Sequence, residues 1–132
     1  MCIFCEKKNV NTYIVKESLF ARVICSRDPI TENGHFLIIP KRHHEKLSSL
    51  RIWEMIDLLL MLIRVYMKVN TFHSGAKNLL INEGLVAGQT VKHLHWHVIC
   101  REEGDDIENM HKKKPKKTIA AEQIATFRSL LD

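Results

Sequence analysis

The sequence predicts an α+β domain. Three observations carry this reading. Short apolar runs at 11–25, 35–39, 79–81 and 93–99 have strand-like composition, and the first and last alternate. A single long apolar helix is expected between the run at 35–39 and the run at 79–81, and a second helix closes the chain. At 132 residues the chain is expected to form one domain over 1–132, with enough apolar residues for a core. There are no internal repeats.

The chain opens on Cys2-Ile3-Phe4-Cys5. In a reducing compartment a C-x-x-C pair points to metal or redox chemistry. A redox pair of the thioredoxin type opens a helix after a strand, and no strand precedes this one, so metal is favoured. Tetrahedral zinc needs four nitrogen or sulfur ligands. The other two must come from elsewhere, and His43 or His44 together with His93 are the best candidates. A pair of incidental thiols is the plain alternative.

Residues 11–25 read as two short strands around a turn near Lys16-Glu17-Ser18. Ser26 to Gly34 is a loop, marked by Pro29 and by Asn33-Gly34. His35 to Ile39 is a buried strand that ends at Pro40. Ser48 or Ser49 is expected to cap the long helix, which runs to about Val69. On it Arg51, Glu54, Asp57, Arg64 and Lys68 form one polar stripe, and the rest is apolar or amphipathic. Such a helix covers a sheet with one face and leaves another for a second element or a second subunit. Leu79-Leu80-Ile81 is a short strand leading to Asn82, and a loop returns the chain to the last strand. A basic loop is expected at about 102–117, and the closing helix at about 118–131.

Three histidines alternate with apolar residues in His93-Leu94-His95-Trp96-His97-Val98. On a strand the histidines share one face, and Leu94, Trp96 and Val98 share the other. Neighbouring same-face positions lie ~6.6 Å apart, within reach of one metal ion, while His93 and His97 would be ~13 Å apart. The three histidines therefore have at least two jobs. The Gly88-Gln89-Thr90 turn ahead of them can bring backbone N–H groups close to an anion.

The run His93-Leu94-His95-Trp96-His97-Val98-Ile99 resembles the histidine-triad (HIT) motif. Asn82-Glu83-Gly84, Gly88-Gln89-Thr90 and Gly34 to His43 resemble the same family in the expected order, and the likeness runs from Cys2 to about Arg101. The resemblance implies an antiparallel sheet with one long helix packed across it, a C-terminal helix, and a homodimer formed through the long helix and a sheet edge. It implies a nucleotide hydrolase or nucleotidyl transferase acting at the α-phosphate of a purine nucleotide. His95 would be the nucleophile that becomes a nucleotidyl-histidine, and His97 would bind phosphate oxygens and assist the leaving group. Asn82, Gly88, Gln89 and Thr90 would hold the charge on the phosphate, and His35 would support the site. Ser26, or Asp28 in its place, would meet the ribose. Structural Zn2+ would be held by Cys2, Cys5, His43 and His93, with His44 in reserve for His43. Dinucleoside polyphosphates and nucleoside phosphoramidates are both family substrates.

The N-terminus has no long apolar run, and the most apolar stretch, Met55 to Met67, carries Asp57 and Arg64 and is too short to span a bilayer. A cytoplasmic protein with reduced cysteines is expected. The net charge is +5, and the lysines of Lys112-Lys113-Lys114-Pro115-Lys116-Lys117 account for it. A solvated loop is the usual reading of such a run. A nucleic-acid partner is the sharper one, but no aromatics interleave with the lysines for base stacking. Two further readings follow: a non-catalytic zinc-stabilised nucleotide-binding protein, and a nucleic-acid-end deadenylase that uses the lysine run.

Overall fold

The structure, a computed structural model, describes residues 2–104 and 118–132. The lysine run and most of the expected basic loop lie outside the described residues, and so does any nucleic-acid reading placed on them. The elements are α1 (Lys7–Val10), β1 (Ile14–Glu17), β2 (Ala21–Cys25), β3 (His35–Pro40), α2 (Ile52–Phe72), β4 (Lys77–Ile81), β5 (Trp96–Cys100) and α3 (Ala121–Leu131). The strands form one antiparallel sheet in the order β1-β2-β3-β5-β4. This is the α+β architecture that the sequence predicts.

Strand alternation divides the sheet into two working faces. Ala21, Val23, Phe36, Ile38, Trp96 and Val98 pack with Leu58, Met61, Val65 and Val69 of α2 and with Ile124, Phe127 and Leu131 of α3. Phe127 meets Phe36 edge-on, with ring centroids 4.9 Å apart. On the opposite face Ile24, Leu37 and Ile39 pack with Phe4 and Val10 of the N-terminal segment. The central strand β3 is buried along its whole length because both faces are covered. Leu94 is part of the helix-side core although it precedes β5. The regular strand begins at Trp96, so His93 and His95 lie in the segment leading into it and strand spacing does not apply to them.

The start of α2 differs from expectation. Ser48 and Ser49 lie in a separate 3-10 turn, Leu47–Ser49, and Arg51 is the N-cap residue. The Glu54 carboxylate accepts the Arg51 backbone N–H at 3.1 Å, satisfying a donor that the helix leaves open. Glu54, one of the residues read as a polar stripe, is buried, with Arg42 Nη1 at 3.0 Å and His44 Nε2 at 2.8 Å. Burial alone would raise its pKa. The Arg51 N–H and the His44, Arg42 and Arg51 charges outweigh that and lower it. The helix also runs one turn past Val69, to Phe72.

The outer face of α2 stays apolar and open: Trp53, Ile56, Leu60, Ile63 and Met67 are exposed, as are Leu79 and Ile81 on the edge strand β4. Among the described residues no helix is long and apolar enough to cross a membrane.

Leu58 has no exposed surface and faces the sheet. Leu58→Ala is expected to lower unfolding free energy by about 2–5 kcal/mol in urea denaturation, the range for deleting a buried leucine side chain.

Candidate active site and metal site

Cys2 and Cys5 come together through a tight N-terminal turn in which the Cys5 N–H donates to the Cys2 carbonyl at 3.1 Å. His43 arrives from the loop after β3, and His93 from the segment before β5. The four ligand atoms all lie within 4.8 Å of one another. Cys2 Sγ and Cys5 Sγ lie 3.4 and 3.5 Å from His93 Nδ1, and Cys5 Sγ lies 3.4 Å from His43 Nδ1. Tetrahedral zinc with ordinary Zn–S and Zn–N bonds would set sulfur and nitrogen about 3.5 Å apart. The donor set and its spacing therefore fit such an ion.

His93 supports this reading from its other side. It is fully buried, and its Nε2–H donates to the Pro40 carbonyl at 2.8 Å, leaving Nδ1 as the lone-pair nitrogen toward the thiols. Burial pushes its pKa down to about 4, so the ring is neutral near pH 7. For Cys5, burial and the adjacent Cys2 thiol raise the pKa, an effect a bound cation would reverse. His44 is not in the cluster. It turns inward, with Nε2 at 2.8 Å from Glu54 and Nδ1 at 3.1 Å from Ser49 Oγ. Of the two loop histidines, His43 is thus the one placed to bind a metal.

Beside this cluster, on the sheet face away from α2, lies a cavity of about 980 Å³. Its apolar wall includes Phe4, Ile24, Leu37 and Ile99. Its polar wall includes Ser26, Asp28, His35, Asn82, Thr90, His95 and His97, and Gly88 lines it too. A volume near the upper end of ordinary ligand pockets has room for a nucleotide-sized occupant. Gly88 has φ +96°, a conformation that an L side chain would strain.

His95 is buried, and its Nδ1–H donates to the His93 carbonyl at 2.7 Å. That bond leaves Nε2 without a proton. Burial lowers the pKa further than this hydrogen bond raises it, which keeps the ring neutral. Phe4 stands edge-on to both His93 and His95, with centroids 5.7 and 5.5 Å away. His97 stands 4.9 Å from His95 between ring centroids, and its Nδ1 is 2.9 Å from His35 Nε2. His35 is buried, its Nδ1 accepts the Ile30 N–H at 3.1 Å, and burial followed by the nearby His97 and His95 pushes its pKa down to about 3.

Most of the residues singled out in the sequence come together here. Ser26 and Asp28 both line the cavity, so the structure leaves both facing an occupant. Gln89 is the exception. Its Oε1 accepts the Gly84 N–H at 2.8 Å and its Nε2 donates to the Glu45 carbonyl at 3.1 Å, while its own N–H donates to the Gly84 carbonyl. Gln89 therefore braces the turn that leads to Thr90 at the cavity wall. Three contributors were not read from the sequence. Phe4 was visible only as a spacer between two cysteines. Glu83 Oε2 accepts the Leu47 N–H at 3.0 Å, tying the loop after β4 to the loop that carries His43. The Ile30 N–H, a backbone group, has no sequence signal.

A HIT domain model matches residues 7–104. Over 77 residues the chain is 39% identical to the bis(5'-nucleosyl)-tetraphosphatase (asymmetrical) of Schizosaccharomyces pombe, covering 58% of this chain and 42% of that protein. It is 33% identical over 102 residues to the adenosine 5'-monophosphoramidase of Saccharomyces cerevisiae, covering 74% of this chain and 61% of that one. The crystal structure of a Zn-bound histidine triad family protein from Mycobacterium smegmatis superposes with a TM-score of 0.78 at 25% identity, covering 98% of this chain and 92% of that chain. By motif, fold and matched length, this chain belongs to the HIT family.

Proposed function

We propose that this protein is a nucleotide hydrolase or nucleotidyl transferase that acts at an α-phosphate through a nucleotidyl intermediate on His95. The carrying observation is the 2.7 Å bond from His95 Nδ1–H to the His93 carbonyl, which leaves Nε2 as a neutral nucleophile in the cavity wall. The base would lie against Phe4, Ile24 and Leu37, and the ribose near Ser26 or Asp28. Asn82, Thr90, the Gly88 backbone and His97 would surround the phosphate and meet its developing charge. Water or another acceptor then releases the nucleotide. The two yeast relatives by name cleave a dinucleoside polyphosphate and a phosphoramidate, and either substrate class suits the cavity.

Zinc is the metal we assign to Cys2, Cys5, His43 and His93. It would supply a fixed positive charge that keeps the thiolates together and holds His93 in place. Thiolate ligands suit a reducing, cytoplasmic setting. We also infer a homodimer, supported by the open apolar face of α2 and the neighbouring edge of β4, a contiguous surface of the kind a subunit contact covers.

AMP release from a diadenosine polyphosphate and from adenosine phosphoramidate should occur with the wild type. It should fall at least about a thousandfold in His95→Ala, as expected for removal of a nucleophile. If nucleotide binds and neither compound is consumed, the protein is a binding module. Zinc should co-purify with the wild type and be lost in Cys5→Ser, and chelation should lower the thermal midpoint of the wild type only. Light scattering should report a dimer for the wild type and a monomer for the Ile56→Glu, Leu60→Glu double variant.

A further inference from the structure

We propose that Phe4 couples the metal site to the cavity, so that a metal ion and the base of a nucleotide each raise the protein's affinity for the other. This inference rests on the reading of the cavity as a nucleotide site.

Phe4 belongs to both sites. It lies between Cys2 and Cys5 in the sequence, so closing that pair on an ion fixes the backbone on either side of it. Its ring is buried with Val10, Ile24, Leu37 and Ile39, and it lines the cavity. The same ring stands edge-on to His93 and His95, with centroids 5.7 and 5.5 Å away. Ile24, Leu37 and His97 are register partners in a row across β2, β3 and β5. Neighbouring strands are about 4.8 Å apart, so Ile24 lies about 10 Å from the histidine end of that row. A nucleotide with its phosphate at the histidines thus lays its base over Leu37 and Ile24, the apolar floor against which Phe4 packs.

The coupling comes from how little else holds this segment. Among the described residues, the hydrogen bonds of residues 2–6 stay within residues 2–9, except at the two thiols. The Cys5 and Glu6 N–H groups both donate to the Cys2 carbonyl, at 3.1 and 3.3 Å. The Glu6 carbonyl and carboxylate accept the Asn9 backbone and side-chain N–H groups at 2.9 and 2.7 Å. The polar contacts that reach the rest of the fold are those of the thiols with His43 and His93, at 3.4 to 3.5 Å. A thiol is a weak hydrogen-bonding group, and Cys5 is exposed, so these contacts alone hold the segment loosely. Its other ties are apolar, through Phe4, Val10 and Cys2.

Ligation of Cys2 and Cys5 together with His43 and His93 therefore ties the segment to the sheet and keeps the Phe4 ring on the cavity wall. Freed of the metal, the ring can leave the wall, and a base loses the surface it packs against. A bound base in turn holds Phe4, and with it the thiols, beside the two histidines. Such coupling is reciprocal, with one factor in both directions. Metal supply would govern how much nucleotide the protein holds, and a bound nucleotide would protect the metal from chelators.

Calorimetric binding of AMP and of adenosine to zinc-loaded and chelator-stripped protein tests this. Both should bind about tenfold or more weakly to the stripped form, within the usual range of coupling between sites. Adenosine carries no phosphate, so an equal loss places the coupling at the base wall. AMP should raise zinc affinity, read against a chromophoric chelator, by the same factor. Phe4→Ala should still bind zinc, and its adenosine affinities in the loaded and stripped forms should agree within about twofold, the scatter of uncoupled sites. Phe4→Leu should recover part of the coupling. In wild-type spectra, nuclear Overhauser contacts between the Phe4 and His95 rings should vanish on stripping, while those between Phe36 and Phe127 in the helix-side core persist. Equal adenosine affinity of the two wild-type forms, a loss confined to AMP, or coupling that survives in Phe4→Ala overturns the proposal. Loss of both sets of ring contacts also overturns it, because the metal then holds the whole fold. If neither form binds AMP or adenosine, the nucleotide reading fails and takes the coupling with it. If both forms bind equally and the Phe4–His95 contacts persist, the coupling alone fails.

Discussion

His93 is the residue on which the rest of the site depends. It has no exposed surface, and each polar group on it faces a different part of the fold. Nδ1 faces the thiols of Cys2 and Cys5, Nε2–H closes on the carbonyl that ends β3, and the backbone carbonyl accepts the Nδ1–H of His95. A metal held by the first group would thus share a residue with the bond that leaves His95 Nε2 without a proton. A buried imidazole with all its polar groups engaged can take only one orientation, because any rotation would leave buried donors or acceptors unpaired.

The surrounding loops are tied to the same point. His43 belongs to a loop whose next residues hold the chain around the cavity: the His44 carbonyl accepts the Leu94 N–H, the Glu45 carbonyl accepts Gln89 Nε2, and the Leu47 N–H donates to Glu83. His44 then reaches Glu54 at the start of α2. The long helix therefore does two things. Its inner face covers the sheet through Leu58, Met61, Val65 and Val69, and its first turn anchors the loop that carries a metal ligand. The buried carboxylate of Glu54 is tolerated there because a helix N–H, an arginine and a histidine surround it.

Much of this was legible in residue patterns. Alternation separates His97 from Trp96 and Val98 on β5, because a chain passing along a sheet must send successive side chains to opposite faces, and Leu94 joins the same core although it precedes the regular strand. The C-x-x-C pair and the loop histidines mark a metal site, since few other arrangements place thiols and imidazoles at such intervals. The start of α2 was misread because Ser48 and Ser49 are good caps by type, yet Glu54 reaches back to the Arg51 N–H and fixes the start later. The turn-bracing contacts of Gln89 left no mark in the sequence, because a polar residue in a glycine turn suits an anion and suits a turn brace equally well.

The sequence by itself determined the α+β class, the strand and helix order, the two faces of the last strand and the cysteines and histidines from which a metal site could be drawn, because these follow from local periodicity and side-chain chemistry. Tertiary structure decided between His43 and His44, turned Gln89 toward Gly84 and Glu45, buried Glu54, and set which ring nitrogens of His35, His93 and His95 meet a backbone group. Each of these depends on which group lies across from which after folding. His93 and Pro40 are 53 positions apart, and His35 and His97 are 62 apart. The direction of a hydrogen bond between such residues is set by backbone N–H and carbonyl groups, which every residue type carries alike and which therefore leave no mark in the sequence.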